Sequence, residues 1–273
     1  MITLLDGTQH EEKEILEKMQ DDEFYYGYLS KAALSSSSLK LLLTSPKTYY
    51  NVTKYGNPET QPLRDGWLFH TAILEPDVFN SQVFVDVESK NSKAYKLAKE
   101  EHGKVFTKRE KRDAERLADA FLRNEKALKY LQNTEFEVPA IGEVMGMPFR
   151  GKADVLGKNR IVDLKTTTDL KNSFKYTSQK FSYNVQCYLY CQLFEVPYDA
   201  FTFIAIDKKS LDIGIYHCSE EFYLSGKAKV EEAIKIYDTF FLQGVDLEKL
   251  KSRQIIKHNY YDKLYRTIIK RRS

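Results

Sequence analysis

The segment from Glu135 to Thr168, EFEVPAIGEVMGMPFRGKADVLGKNRIVDLKTTT, constrains this chain most, because apolar and polar residues alternate along it and glycines interrupt it at intervals. A period of two cannot lie on a helix. The pattern predicts three antiparallel strands near 135–142, 147–156 and 160–167. Within them Gly151 to Lys165 carries two aspartates and three lysines, where apolar alternation should be cleanest.

Register decides what those charges do, because a slip of one residue sends every side chain to the other face. With an even loop, either Lys158-Asn159 or the four residues Gly157 to Arg160, Asp154 lies opposite Asp163 and Lys152 opposite Lys165. Ala153, Val155, Val162 and Leu164 then share the other face. Two carboxylates across a strand pair cost about 0.2–1 kcal/mol when exposed and more when partly buried. A divalent cation removes the conflict, and hard oxygens without a thiolate suit Mg²⁺ or Mn²⁺. Lys165 stands two residues past Asp163, on the same face, where it can hold or polarise a water near a phosphate. Such a site would hydrolyse a phosphodiester. The alternative from the hairpin alone is a pair of ordinary ion pairs with Lys152 and Lys165.

On either side the chain reads as helical. ALSSSSLKLLLTSPKTYYN holds a serine capping cluster, a short apolar helix and a stop at Pro46. DGWLFHTAILEPDVF places Trp67, His70 and Leu74 at helical spacing, with Pro76 as its end. Residues 77–88 read as extended, and 92–131 as two charged helices broken near Gly103. After the strands come an amphipathic helix near 179–194, two strands in AFTFIAID and LDIGIYHC, and a helix over 220–243. No repeat or low-complexity linker divides the chain. The reading is one α/β domain over 1–273, with a mainly helical part (1–131), an αβ core (132–245) and a basic tail (246–273).

Composition narrows the class. No run approaches the roughly 20 apolar residues of a membrane span, and the acidic opening lacks the plan of a secretory signal, so the expected place is the cytoplasm. Cys187, Cys191 and Cys218 form no CxxC pair and leave one over, against a disulfide framework or a four-thiolate cluster. They read as buried small apolar groups. Residues 249–273 hold nine basic side chains against one acidic, interleaved with Tyr260, Tyr261 and Tyr265, a composition suited to phosphate contact and base stacking.

The order Gly-x-x-Asp154, then Asp163-Leu-Lys165, then Gln186-x-x-x-Tyr190 resembles the PD-(D/E)XK nuclease superfamily, in the form shared by RecB-type nuclease domains and phage exonucleases. LSSSSLKLLLTSPKTYYN and Gly66-Trp-Leu-Phe-His70-x-x-x-Leu-Glu-Pro76 are similar to the corresponding parts of RecE-type exonucleases (exodeoxyribonuclease VIII). The resemblance spans roughly 30–245. It implies a restriction-endonuclease-like α/β core, a central mixed β-sheet flanked by helices, with N-terminal helical additions. It further implies Asp154, Asp163, the Leu164 carbonyl and His70 around Mg²⁺ (or Mn²⁺), and Lys165 as the catalytic lysine, with Gln186 and Tyr190 facing the hairpin. Alanine precedes Asp154 where the superfamily has proline. Glu135, Glu137 and Glu143 compete for a further place in the metal shell, and spacing does not choose among them. Ser37, Ser38 and Lys40 either hold a terminal 5′-phosphate or cap their helix.

The activity implied is a Mg²⁺-dependent exonuclease on double-stranded DNA ends, working 5′ to 3′ and leaving 3′ single-stranded tails for an annealing protein. Its setting would be phage-type recombination in a bacterial host, with a ring-shaped homo-oligomer around the duplex and no membrane. Two alternatives stay open: a metal-dependent endonuclease of the same fold, of restriction or repair type, and a catalytically inert DNA-binding module.

Overall fold

The computed structural model describes residues 1–243. The basic tail, with Tyr260, Tyr261 and Tyr265, lies outside the described residues.

Serine and proline set the helix boundaries of the first half. Ser35 caps α1 (Ser36–Thr44): its Oγ accepts the Ser38 amide, and the Ser38 hydroxyl accepts the Ser35 amide. Ser38 is thereby engaged in capping. Pro46 does not end the helical run. It opens α2 (Pro46–Tyr55) from its first turn, where the missing N–H costs nothing, and Ser45 caps that helix. Pro62 sits in the first turn of α3 (Gln61–Leu74), which carries Trp67, His70 and Leu74, and Pro76 likewise opens a short turn, Pro76–Asn80. The expected extended arm therefore begins helical and contributes only the two-residue strand Phe84–Val85. The charged stretch forms α4 (Lys93–His102) and α5 (Lys108–Leu122), separated at Gly103, whose φ of +73° favours glycine.

The main sheet follows in chain order: β1 (Thr134–Val144), β2 (Met147–Gly157), β3 (Arg160–Thr167), β4 (Phe201–Asp207) and β5 (Ile213–His217). The β3–β4 pair is parallel and the other three are antiparallel, so the sheet is mixed. The crossover that a parallel pair requires consists of α6 (Leu170–Lys180) and α7 (Tyr183–Leu193). These are two helices rather than the one expected, because Ser182 between them takes a left-handed φ of +54°. After β5 the chain closes with α8 (Glu220–Tyr237). Besides the main sheet, the first half holds two two-stranded ladders, Ile2–Thr3 with Gln9–His10 and Phe84–Val85 with Phe106–Thr107.

Helices cover both faces of the sheet. On one face Phe69 and Ile73 of α3, with Leu117 and Phe121 of α5, bury Val155, Val162, Leu164, Ile204 and Ile206. On the other, α1, α7 and α8 bury Ile161, Phe201, Phe203 and Ala205 through residues such as Leu39, Leu189 and Val230. All three cysteines are buried there. Ala153 belongs to this second cluster and not with Val155, which corrects the expectation that Ala153, Val155, Val162 and Leu164 share a face. Alternation is broken between them, at Asp154. No helix among the described residues is long and apolar enough to cross a membrane.

Candidate functional site

The break at Asp154 makes the site. Two-residue turns fix both hairpins: Gly157 pairs with Arg160 across Lys158-Asn159, and Val144 pairs with Met147 across Met145-Gly146, both of which have positive φ. The β1–β2 register runs through Phe136↔Val155 and Val138↔Ala153, so Glu137 stands opposite Asp154, yet these two do not pair. Glu137 adopts a left-handed φ of +51°, a conformation that costs a non-glycine residue about 1 kcal/mol. Between β2 and β3 the ladder ends at Val155↔Val162. Beyond it the Leu164 amide donates to Asp154 Oδ2 at 2.7 Å, so a side chain replaces the next rung.

Helices from the two faces reach this opening. From α3, His70 lies with Nε2 2.8 Å from the Leu164 carbonyl and Nδ1 3.4 Å from Asp154 Oδ2. The carbonyl requires Nε2 to be a donor, and Nδ1 is the ring nitrogen left facing the Asp154 carboxyl. From α7, Gln186 Nε2 donates to Asp163 Oδ1, and the Lys165 ammonium pairs with the buried Asp163 Oδ2. Tyr190 donates to the Lys152 carbonyl at 3.0 Å. Its ring lies so close to Gly151 that a Cβ there would fall 2.9 Å from Tyr190 Cε1. Tyr190 therefore braces the hairpin backbone, with its hydroxyl committed to that strand.

Among the described residues one group offers a metal at least three ligand side chains: His70, Glu137 and Asp154, whose ligand atoms all lie within 4.8 Å of one another. Asp163 is outside this trio, held by Gln186 and Lys165 as above. Glu137 is the residue that sequence spacing could not choose. A signal for it existed, since reading Met145-Gly146 as a two-residue turn sets Glu137 across from Asp154, whereas Glu135 pairs with Leu156 and Glu143 with Pro148.

Electrostatics fit a cation at this point. Burial and then the charge of Asp163 raise the Asp154 carboxyl from 3.8 to about 6, against the pull of His70 and Lys165. Burial, then Asp154 and Glu75, raise Glu137 from 4.5 to about 8. Carboxyls that resist ionisation beside an imidazole nitrogen form an oxygen-rich, thiolate-free donor set suited to a hard or borderline divalent ion. Burial lowers Lys165, but Asp163 and Asp154 outweigh it and hold the ammonium above its ordinary value, 5.1 Å from the centre of the Tyr183 ring. Lys40 Nζ lies 5.3 Å from the same ring, and burial, then the Lys165 charge, lower it to about 8. His70, Asp154 and Lys165 line one cleft of ≈ 1370 Å³ together with Lys40, Lys152 and Lys208.

Comparison with known proteins agrees with this architecture. The chain resembles a crystal structure of an Eubacterium rectale protein that carries the provisional name exonuclease, with a TM-score of 0.60 at 16% identity over 88% of this chain and 98% of that one. At that identity the likeness is one of fold. A second solved structure, of the protein SSO0001, aligns at a TM-score of 0.39 and 14% identity over 88% of this chain and 97% of that one, too low to carry an argument. No curated protein matches the sequence. Residues 35–245 match the family described as a PDDEXK-like domain of unknown function, DUF3799. That span takes in α1 to α8 and every strand that frames the trio, and the chain belongs to this PDDEXK-like family.

Proposed function

We propose that the protein is a metal-dependent deoxyribonuclease, a Mg²⁺ (or Mn²⁺) exonuclease of RecE type acting on double-stranded DNA ends. The observation that carries this is the meeting of the His70–Glu137–Asp154 trio with Lys165 at one cleft. A divalent ion held by the trio would neutralise the facing carboxylates and act as a Lewis acid on the phosphodiester.

The chain's own groups supply the rest. Lys165, kept protonated by Asp163, offers a cation to a non-bridging phosphate oxygen or to the charge that develops in the transition state. Asp163 and Gln186 fix that ammonium in place, and Tyr190 fixes the strand that presents Asp154. Lys40, Lys152 and Lys208 give the cleft positive charge for the backbone on either side. Digestion 5′ to 3′, a 3′ tail handed to an annealing protein, a homo-oligomeric ring and a phage-type role in a bacterial cytoplasm complete the reading, by likeness of motif.

Linear and covalently closed duplex DNA separate the readings. With Mg²⁺ the wild type should shorten linear duplex and leave closed circles intact, chelator should stop it, and Asp154→Asn and Lys165→Ala should each lower the rate by at least about a hundredfold. Cutting of closed circles would make it an endonuclease. DNA binding without product in either metal would make it an inert binding module, and full activity in both variants would remove the site.

A further inference from the structure

The family match begins at residue 35, yet the residues before it build part of the cleft wall. Glu23–Tyr28 form a π-helical turn, an uncommon conformation that recurs at functional sites. It places Tyr25 and Tyr26 side by side with their rings edge to face, 4.8 Å apart. Tyr25 is the anchor: it is buried, the Arg150 guanidinium stacks 4.3 Å from its ring centre, and Arg150 also donates to the Leu29 carbonyl. Tyr26 remains 59% exposed on the wall of the cleft that His70, Glu137 and Asp154 also line. Lys152 Nζ sits 5.4 Å from the Tyr26 ring centre and 3.4 Å from Asp22.

An exposed tyrosine alone means little. Here the ring packs edge to face on the buried Tyr25, lines the same cleft as the metal trio and has an ammonium next to it, the combination with which proteins hold single-stranded nucleic acid by stacking and charge. We infer that Tyr26 is a nucleobase-stacking residue, receiving an unpaired base of the strand whose phosphate lies at the trio, with Lys152 against the adjoining phosphate. This rests on the nuclease reading and deepens it: the cleft takes a single strand with its bases splayed out, and the segment ahead of the family domain selects it.

The test uses the full chain with Ca²⁺ in place of Mg²⁺ and fluorescent single-stranded oligonucleotides in which an abasic site is walked through each position. Wild type should bind the intact strand roughly tenfold more tightly than the strand abasic at one particular position. Tyr26→Phe should keep that preference, and Tyr26→Ala should lose it while binding the abasic strand like wild type. Thermal unfolding checks that both variants fold. A Tyr26→Ala variant that still discriminates intact from abasic DNA would overturn the inference and leave the nuclease reading standing. Wild type that neither binds DNA nor cuts it in Mg²⁺ would remove the nuclease reading, and the stacking role with it.

Discussion

Raising the pH should destabilise the metal-free protein through Asp154 and Glu137. Both folded pKa values, about 6 and about 8, lie above the ordinary 3.8 and 4.5. The native state therefore keeps protons that the unfolded chain has already released. Their contribution to stability is fully present below about pH 4 and is lost as pH rises through 6 and then 8. At 1.36 kcal/mol per pH unit, the rise at Asp154 corresponds to about 3 kcal/mol. Glu137 adds less than its own rise suggests, since each carboxylate is part of the cause of the other's shift, and the total is about 3–6 kcal/mol. Urea unfolding followed from about pH 4 to about pH 9 measures the slope, in chelator and in Mg²⁺. Other titrating groups are removed by comparison with the double variant Glu137→Gln/Asp154→Asn, in which the carboxamide that replaces Asp154 still offers an oxygen to the Leu164 amide. Wild type in chelator should lose about 3 kcal/mol or more relative to the double variant across that range, and Mg²⁺ should restore most of it for wild type alone. Parallel slopes for the two proteins, or equal Mg²⁺ effects on both, would refute the assignment of a strained, cation-seeking carboxylate pair.

Other expectations follow from contacts. Gly226→Ala would place a Cβ 2.0 Å from the Asn184 carbonyl oxygen, a backbone atom that cannot step aside, so α8 must move off α7 at a cost of about 3 kcal/mol or more, visible as a lower urea midpoint. Tyr190→Phe keeps the ring against Gly151 and loses the two hydrogen bonds of the hydroxyl with the Lys152 backbone, one donated to the carbonyl and one accepted from the amide, which should cost about 1–2 kcal/mol in the same assay. Asp163→Ala strands a buried ammonium and should cost about 3–5 kcal/mol, most of it recovered in Asp163→Ala/Lys165→Met; additive losses in the double variant would contradict the pairing.

Much of the fold could be read from neighbours along the chain. Alternation and glycine spacing located β1, β2 and β3 to within two residues, and the even turn at Lys158-Asn159 carried the phase of Asp154 against Asp163, because hairpin register is a local property. Serine caps located α1 for the same reason. Where expectation and structure part, local rules were silent. Pro46 and Pro76 serve equally to end one helix or to begin the next, and which they do depends on the serine or glutamate before them and on the packing after. Ser182 divides α6 from α7 with neither glycine nor proline to mark it.

The site divides in the same way. Sequence by itself offered the candidates for the chemistry: Asp154, Asp163 and Lys165 from the hairpin pattern, and His70, Gln186 and Tyr190 through the family resemblance. Only the tertiary structure decided which of them meet. Glu137 enters and Glu135 and Glu143 do not because a left-handed residue in β1 interrupts a ladder between strands, and His70 and Gln186 arrive on helices from opposite faces of the sheet, 94 residues before Leu164 and 23 after Asp163. Distances of that kind are set by how apolar faces close on one another, and no window of sequence contains them.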